Sequence, residues 1–285
     1  MTRRVALLGK PLRRRHSQVM HDAAFAAAGL DARYELLELD PEAVPGVVAA
    51  AHGPAWLGLQ VTAPYKRLVA GLCDRVDTDA ATIGAVNSVV RTAAAELVGF
   101  NTDAPGFRAA VEAALGRPLA GATVVVAGAG GAAHAVAFAC LDGGAARVTI
   151  GNRTLAAGEA LAQRFARTGS GAVTAVELGG AAFADALGTA DLAVNATTVG
   201  MLEPGAAIDV TRLPATATVF DLVYLPPETP LLQAARGRGL RAANGSEMLI
   251  QQAAIAFERW TGLGGMAEVM RAAVAPLLAD AAVPA

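Results

Sequence analysis

The chain of 285 residues is long enough for two domains, and its 54% apolar and 17% charged residues are typical of a folded protein. A net charge of −2 argues against a nucleic-acid surface, which needs a clear excess of Lys and Arg. Cys73 and Cys140 are too few for a disulfide framework and lack metal-ligand spacing, so we expect a reduced, cytoplasmic setting and no metal.

The first hundred residues alternate short apolar runs with helical patterns. Strands are predicted over residues 5–9, 34–39, 57–61, 86–91 and 96–100, the last two as a hairpin or strand pair. Helices are predicted over residues 16–28 and 65–73. Strands that alternate with helices indicate an α/β domain with a mostly parallel sheet and helices on both faces.

A second series of strands and helices begins with a predicted helix over residues 105–115. Strands are predicted after Gly121 and over 147–151, 173–177, 191–196 and 218–223, and helices over 160–165, 248–260 and 265–278. Residues 118–141 contain no charged side chain, but a β-branched run, a glycine turn and an alanine-rich stretch predict a buried strand-turn-helix rather than a membrane span. No signal peptide is evident, and we predict a soluble protein.

The glycine-rich segment Gly128-Ala129-Gly130-Gly131-Ala132-Ala133 lies between a predicted strand and a predicted helix. Glycines let the chain turn sharply and let the backbone approach a pyrophosphate, whose charge the helix N-terminus stabilises. Many α/β turns carry glycine for backbone reasons alone. The strand before and the helix after favour a dinucleotide site.

The end of the next predicted strand indicates which dinucleotide binds. An NAD site usually places Asp or Glu about 20 residues on, where it holds the ribose 2′-hydroxyl. This strand ends instead in Asn152-Arg153-Thr154. Because arginine pairs with a 2′-phosphate and stacks on adenine, we predict NADP. The alternative is an exposed arginine beside a helix N-cap at Thr154.

Lys66 and Asp103 are candidates for proton transfer. A dehydrogenase needs a group that gives or takes the hydroxyl proton as hydride moves, and a lysine near a carboxylate can serve. Taken alone, Lys66 also fits a solvated lysine at a helix start, and Asp103 fits a helix N-cap before Pro105.

An ordered set of segments resembles the shikimate dehydrogenase family. The segments are Val61-Thr62-Ala63-Pro64-Tyr65-Lys66, Gly84-Ala85-Val86-Asn87, Asn101-Thr102-Asp103, the glycine-rich loop, Asn152-Arg153-Thr154, Asn195-Ala196-Thr197 with Gly200-Met201, Asp221 to Leu232, and Gly245 with Met248-Leu249 and Gln252. The resemblance extends from Gly9 to about Trp260, nearly the whole chain.

The resemblance implies an N-terminal α/β substrate domain completed by the C-terminal helices, residues 1–103 plus 246–285, and a Rossmann NADP-binding domain, residues 104–245. It implies NADP-dependent reduction of 3-dehydroshikimate to shikimate, in aromatic amino acid biosynthesis, by a monomer or homodimer. Lys66 would be the acid/base and Asp103 its partner. Further substrate-binding residues would be Arg15, Ser17, Thr62, Asn87, Tyr224 and Gln252. Cofactor-binding residues would be Gly128, Ala129, Gly130, Gly131, Ala132, Asn152, Arg153, Thr154, Thr197, Val199, Met201, Leu222, Gly245 and Met248.

The chain departs from the family pattern at three places, one of which is His134, where the family has an arginine after the glycine-rich loop. The family has two serines that grip the substrate carboxylate; here Ser17 matches the second, Arg15 replaces the first, and Gln18 replaces a following proline. Arg15 could bind the carboxylate directly or point to solvent. Glu247 replaces a glycine close to the expected nicotinamide position. Quinate or an amino-substituted relative is therefore an alternative substrate, and a non-catalytic metabolite sensor is a third hypothesis, against which the presence of Lys66 and Asp103 argues.

Overall fold

The computed structural model describes residues 1–169 and 171–279, in which the chain forms two six-stranded sheets in two compact units. The first unit contains Met1–Thr102 and Ile250–Leu277, and the second contains Asp103–Leu249 with residues 278–279 of those described. Residues 280–285, at the end of the predicted first domain, lie outside the described residues. The α/β class predicted from the sequence is confirmed.

The first unit is built on a mixed sheet. Its strands are β1 (Arg3–Gly9), β2 (Ala32–Glu38), β3 (Trp56–Val61), β4 (Arg75–Val76), β5 (Ser88–Arg91) and β6 (Leu97–Phe100). Its helices are α1 (His16–Ala27), α2 (Val44–Ala50), α3 (Lys66–Ala70) and α4 (Thr78–Ile83). The strand order is β2-β1-β3-β5-β6-β4, with β5 antiparallel to both β3 and β6, so the predicted hairpin is confirmed.

The strand order of this sheet reverses at β1. β1 lies between β2 and β3 and is parallel to both. The chain passes from β1 to β2 on one side and then crosses to β3 on the other side of β1. In such sheets ligands bind in the crevice outside the carboxyl ends of the strands where the order reverses. β3 is buried along its whole length, because it lies in the centre of the sheet with covered faces.

The second unit is built on a parallel sheet. Its strands are β7 (Thr123–Ala127), β8 (Arg147–Asn152), β9 (Ala172–Glu177), β10 (Leu192–Asn195), β11 (Thr218–Asp221) and β12 (Arg241–Asn244). Its helices are α5 (Asp103–Leu115), α6 (Gly131–Asp142), α7 (Leu155–Phe165), α8 (Ala181–Leu187) and α9 (Pro230–Gly237). The order β12-β11-β10-β7-β8-β9 is that of a Rossmann fold, with the switch point between β7 and β10.

The uncharged stretch over residues 118–141 folds as β7, the glycine turn and α6. Within residues 1–169 and 171–279, no helix has both the length and the apolar character needed to cross a bilayer. The edge strand β12 was not predicted, because its four residues are short, mostly half-buried and without apolar alternation.

Two helices end the described chain, α10 (Ser246–Thr261) and α11 (Ala267–Ala279). The second half of α10 packs on the sheet of the first unit. The Trp260 indole nitrogen donates a 2.9 Å hydrogen bond to the carbonyl of Val89 on β5. Gly58 on β3 leaves room for the same indole, because a Cβ there would lie 2.6 Å from Trp260 Nε1. Phe257 packs against Phe25 of α1 with ring centroids 5.3 Å apart.

Candidate functional site

The glycine-rich turn of the second unit lies at the switch point of its sheet. Gly128 directly follows β7 and has φ +106°, a conformation that favours glycine. A Cβ on Gly128 would lie 2.9 Å from Thr197 Cγ2 and 3.0 Å from the Ala196 carbonyl oxygen, in the segment after β10. The turn therefore packs directly against the segment that follows the neighbouring strand.

The next two glycines have open space around them. Among the described residues, a Cβ on Gly130 or Gly131 would have no neighbour within 4 Å. Gly130 is the N-cap of α6, and no described side chain caps this helix. The first backbone N–H groups of α6 and its dipole are therefore available to an anion. This turn fits the pyrophosphate of a dinucleotide.

The turn after β8 is attached to the glycine-rich turn by Asn152. Asn152 Oδ1 accepts a 3.1 Å hydrogen bond from the Ala129 backbone N–H, and its Nδ2 donates to the Thr154 carbonyl at 2.9 Å. The Arg153 side chain is 82% exposed, and its nearest described acidic partner is Glu203, at 3.9 Å. An exposed arginine at this strand end, in place of a carboxylate, fits a 2′-phosphate better than a free 2′-hydroxyl.

Buried polar side chains hold the segments after β10 and β11. Asn195 and Asp221 end these strands, and both side chains are fully buried. Asn195 Nδ2 donates a 2.9 Å hydrogen bond to Asp221 Oδ1, and Thr229 Oγ1 donates to Asp221 Oδ2 at 2.7 Å. Burial raises the pKa of the Asp221 carboxyl above 3.8, and the hydrogen bonds it accepts oppose that shift.

The remaining predicted cofactor residues lie at the same end of the sheet. Leu222 N–H donates to the Asn195 carbonyl at 3.0 Å. A Cβ on Gly245 would lie 2.9 Å from the Leu222 carbonyl carbon, so only glycine fits there. Val199 and Met248 are half-buried, and Met201 is exposed. Tyr224 and Glu247 are also half-buried, the latter in the first turn of α10.

In the first unit, Thr62 and Lys66 follow β3. The Thr62 N–H donates to the Leu8 carbonyl of β1 at 2.9 Å, which fixes the turn at the carboxyl ends of both strands. Lys66 is the first residue of α3 and is half-buried. Its carbonyl accepts a 3.2 Å hydrogen bond from the Val86 N–H, one residue before Asn87. The backbone of the candidate acid/base is thus held next to the segment that carries Asn87.

Asn87 connects the predicted substrate residues of the first unit. Its Nδ2 donates to Thr102 Oγ1 at 2.9 Å and to Gln252 Oε1 at 3.2 Å. Its Oδ1 accepts from the Thr102 N–H at 2.8 Å. Asp103 follows Thr102 along the chain, begins α5 and is buried. The structure therefore brings together Asn87 and Gln252, which are far apart in the sequence.

Arg15 and Ser17 lie at the start of α1. Arg15 is exposed, and its Nε donates a 3.0 Å hydrogen bond to Gln18 Oε1. Gln18 Nε2 in turn donates to the Tyr34 carbonyl on β2 at 3.1 Å. The buried Tyr34 phenol donates a hydrogen bond to Gln60 Oε1. Burial raises the pKa of this phenol, and the Ser17 hydroxyl opposes that shift. The Arg15 guanidinium is therefore turned along α1 towards Gln18.

The sequence did not single out Asn195, Asp221, Thr229, Gln18 or Tyr34 as site residues. For Asn195 and Asp221 a signal was present, because each is a polar residue at the carboxyl end of a short apolar strand. The spacing of Arg15 and Gln18, three residues apart at the start of a helix, also predicts a contact. Nothing local indicates that Tyr34 meets Gln60.

The fold and the site define a class of α/β proteins with a Rossmann dinucleotide unit and a second α/β unit that carries polar groups at its strand ends. Three family models match: "Shikimate dehydrogenase substrate binding domain" over residues 7–89, "Shikimate / quinate 5-dehydrogenase" over 110–200 and "Shikimate 5'-dehydrogenase C-terminal domain" over 245–275. The chain is 40% identical over 274 residues to the shikimate dehydrogenase (NADP(+)) of Methanopyrus kandleri, covering 95% of this chain and 94% of that protein. The chain belongs to the shikimate dehydrogenase family.

Solved structures agree with this assignment over nearly the full length. Shikimate 5-dehydrogenase from Thermus thermophilus, in complex with NADP(H) and shikimate, is 38% identical with a TM-score of 0.83, covering 95% of this chain and 100% of that chain. Quinate dehydrogenase from Corynebacterium glutamicum, in complex with NAD, is 34% identical with a TM-score of 0.89, covering 96% and 99%. The family therefore includes relatives that differ in both substrate and cofactor.

Proposed function

We propose that this protein reversibly reduces 3-dehydroshikimate to shikimate with NADPH. The observation that carries the proposal is the turn after β8, where Arg153 stands exposed in place of a carboxylate and Asn152 joins it to the open glycine turn. The names of the relatives, which include NADP(+) and shikimate, support the same cofactor and substrate for this chain.

The second unit would hold the cofactor at the carboxyl ends of its strands. The glycine turn, residues 128–132, would bind the pyrophosphate, and Asn152, Arg153 and Thr154 would bind the adenosine 2′-phosphate. Residues at the nicotinamide end would be Thr197, Val199, Met201, Leu222, Gly245 and Met248. When bound, the nicotinamide exchanges a hydride with the carbon that carries the reacting oxygen.

Lys66 would hold the proton that the reacting oxygen exchanges. In the reducing direction its ammonium gives a proton to the oxygen that becomes the hydroxyl, and in the oxidising direction its amine takes that proton back. The Asp103 carboxylate would accept a hydrogen bond from a substrate hydroxyl. Ser17, Arg15, Thr62, Asn87, Tyr224 and Gln252 would bind and orient the substrate.

Quinate or an amino-substituted relative is a second candidate substrate. The specific observation that favours it is Arg15, which stands where the family pattern has a carboxylate-binding serine and which Gln18 holds at the start of α1. A guanidinium in place of a hydroxyl changes the charge that faces the substrate. The similarity to a quinate dehydrogenase supports quinate as this second substrate.

The test is a turnover assay with purified protein, NADP⁺ or NAD⁺, and shikimate, quinate or aminoshikimate, followed by the absorbance of the reduced nicotinamide. We expect the highest kcat/KM for shikimate with NADP⁺. Turnover only with quinate or aminoshikimate would select the second candidate. No turnover with any pair would exclude both.

Lys66→Ala tests the proposed proton transfer. We expect kcat to fall by about 10²- to 10⁴-fold with an unchanged circular dichroism spectrum, because a general acid/base contributes about that factor. Arg67→Ala, at the exposed next position of α3, is the matched control and should keep wild-type kcat. Near-normal activity of Lys66→Ala would remove Lys66 from this role.

We further propose a cytoplasmic enzyme that is either a monomer or a homodimer. The burial of Cys140, which raises the pKa of its thiol to about 12, is consistent with a cysteine that stays reduced. Sedimentation velocity over a range of protein concentrations distinguishes the two assembly states.

A further inference from the structure

A buried hydrogen-bond network joins the segments that follow β10 and β11, and we call it the Asn195–Asp221 network. It consists of the side chains of Asn195, Asp221, Thr197 and Thr229 with the backbone groups they bind. Asn195 and Asp221 are the last residues of adjacent strands, paired in register in the sheet. Both side chains are fully buried, so neither touches a ligand directly.

The Asn195 side chain fixes the segment that follows its own strand. Oδ1 accepts hydrogen bonds from the Thr197 N–H at 3.0 Å and from Thr197 Oγ1 at 2.6 Å. Nδ2 donates to the Val199 carbonyl at 3.1 Å as well as to Asp221. The Val199 N–H also donates to Thr197 Oγ1 at 3.1 Å. These bonds give residues 197–199 one backbone conformation.

The Asp221 carboxylate fixes the segment after the neighbouring strand. Oδ1 accepts a 3.0 Å hydrogen bond from the Val223 N–H in addition to that from Asn195. Oδ2 accepts from Thr229 Oγ1, and the same hydroxyl oxygen caps α9 by accepting from the Leu232 N–H at 3.3 Å. Asp221 therefore holds both ends of the segment that carries Leu222 and Tyr224.

A carboxylate is a costly group to bury at this position. Within the described residues Asp221 forms no ion pair with a lysine, arginine or histidine, so hydrogen bonds alone offset its loss of solvation. Replacing all the partners of a buried hydrogen-bond network with apolar groups of the same shape can be nearly neutral for stability. Stability alone therefore does not explain a carboxylate here, and the geometry that it imposes does.

The fixed segments border the proposed cofactor site. Thr197 lies against Gly128 of the glycine turn, closely enough that a Cβ on Gly128 would contact its methyl group at 2.9 Å. The Leu222 N–H donates to the Asn195 carbonyl, next to the buried amide. The network thus lies at the carboxyl ends of β10 and β11 and contacts the turn after β7. Rossmann folds bind ligands at this end of the sheet.

We propose that Asn195 and Asp221 are positioning residues for hydride transfer, and that they act by holding the Thr197–Val199 and Leu222–Tyr224 segments against the nicotinamide half of the cofactor. This inference rests on the proposed function. Misplacement of a reacting group by about 1 Å can cost up to about 100-fold in rate. Loss of the network should therefore lower kcat and weaken cofactor binding. It should change the KM for shikimate, whose proposed binding residues lie mainly in the first unit, much less.

The experiment compares Asn195→Ala and Asp221→Leu with two controls. Asp221→Asn keeps an acceptor for Asn195 and Val223 and supplies a donor to Thr229, so it conserves the shape of the network. Val219→Ala, a fully buried apolar position on the same strand, destabilises the core without touching the network. The measurements are kcat, the KM for shikimate, the Kd for NADPH from its fluorescence, and amide hydrogen exchange of the cofactor-free protein.

We expect Asn195→Ala and Asp221→Leu to lower kcat by about 10- to 100-fold and to raise the Kd for NADPH, with the KM for shikimate within about twofold of wild type. In the cofactor-free protein, exchange should accelerate selectively in residues 196–201 and 222–229. Asp221→Asn should keep most of the activity, and Val219→Ala should keep wild-type kcat.

Two results would overturn the inference. The first is equal kcat, NADPH affinity and local exchange in the network variants and in Val219→Ala. The second is equal loss of activity in Asp221→Asn and Asp221→Leu, which would assign the effect to the charge rather than to positioning. If wild type turns over no substrate, the proposed function fails, while the exchange and NADPH-binding measurements still test the network.

Discussion

Asn87 donates a 3.2 Å hydrogen bond to Gln252, a residue 165 positions further along the chain. The same amide group binds Thr102 through both its nitrogen and its oxygen. The segment that leads to Asp103 and the helix that carries Gln252 are thus held by one buried side chain. Asn87 is buried and holds the backbone at Thr102, so we expect it to stabilise the fold. Gln252 is half-buried, and its bond to Asn87 joins two side chains, so we expect it to matter less for stability.

Substitution of these two residues should separate the two roles. Asn87→Ala removes the partner of the buried Thr102 N–H and should lower the free energy of unfolding by about 1–3 kcal/mol. Gln252→Ala should leave the free energy of unfolding within about 1 kcal/mol of wild type and raise the KM for shikimate about 10-fold, the cost of one hydrogen bond to a bound ligand. Urea denaturation and steady-state kinetics measure the two effects. Glu258→Ala, at an exposed position of the same helix, is the control. If Gln252→Ala had the same KM for shikimate as this control, Gln252 would lie outside the substrate site.

The glycines of the turn after β7 should differ in what they tolerate. Gly130→Ala places a methyl group in open space at an ordinary φ of −76°, so the fold should be unchanged. The Kd for NADPH should rise at least about 10-fold, because the methyl group would enter the proposed pyrophosphate position. Gly128→Ala, at φ +106° and against Thr197, should destabilise the fold by about 1–2 kcal/mol or more. Thermal denaturation and NADPH fluorescence distinguish these effects. Wild-type NADPH affinity in Gly130→Ala would contradict pyrophosphate binding at this turn.

Arg153 should set the preference for NADP⁺ over NAD⁺. Arg153→Ala is expected to raise the KM for NADP⁺ about 10-fold or more and to leave the KM for NAD⁺ unchanged, because only the former carries the phosphate that the guanidinium can bind. Arg147→Ala, an exposed arginine at the opposite end of the same strand, should change neither value. An equal rise for both cofactors would show that Arg153 does not recognise the 2′-phosphate.

Arg15 should contribute to binding of the substrate carboxylate. We expect Arg15→Ser to raise the KM for shikimate about 10-fold and to leave the KM for NADP⁺ unchanged, because an ionic hydrogen bond is replaced by a weaker one. Gln18→Ala should produce a smaller change in the same direction, since Gln18 only holds the guanidinium. Arg13→Ser, also exposed, is the control. An unchanged KM in Arg15→Ser would assign Arg15 to the solvent-exposed surface.

His21 should make the protein sensitive to acid. Burial lowers the pKa of His21 from 6.5 to about 3, so the unfolded chain binds a proton between these values and the folded chain does not. Stability is therefore fully present above pH 6.5 and is lost as the pH falls, by about 2 kcal/mol between pH 7 and pH 5. Urea denaturation at several pH values should show a flatter dependence for His21→Leu than for wild type. Phe25→Leu, in the same core, should keep the wild-type slope, and identical slopes in all three proteins would refute this assignment.

The parts of the molecule that the sequence predicts are those specified by neighbouring residues. Strand β7, the turn at Gly128 and helix α6 were predicted together, because the β-branched run, the glycines and the alanines that specify them are contiguous. The strand pair β5–β6 was predicted for the same reason, although β5 begins at Ser88, two residues later than expected.

The parts that were missed depend on tertiary contacts. Asn195 meets Asp221 only because β10 pairs with β11 in register, across 26 residues of sequence. Tyr34 of β2 reaches Gln60 of β3 only because the two strands flank β1 in the same sheet. No periodicity in a single segment contains this information, so the residues that hold the site in place are harder to predict than those proposed to bind ligands.

The contact of Trp260 with Val89 has a consequence for synthesis of the protein on the ribosome. The sheet of the first unit is translated first, but the aromatic side chains of α10 that cover it, including Phe257 against Phe25, emerge only after the second unit is complete. The sheet of the second unit lies in one continuous stretch of chain with parallel βα connections, so it can fold while the first unit still exposes apolar surface. A nascent chain that stops near residue 245 leaves Gly58 and His21 without their indole neighbour, and such truncated chains should be preferred substrates for chaperones and proteases.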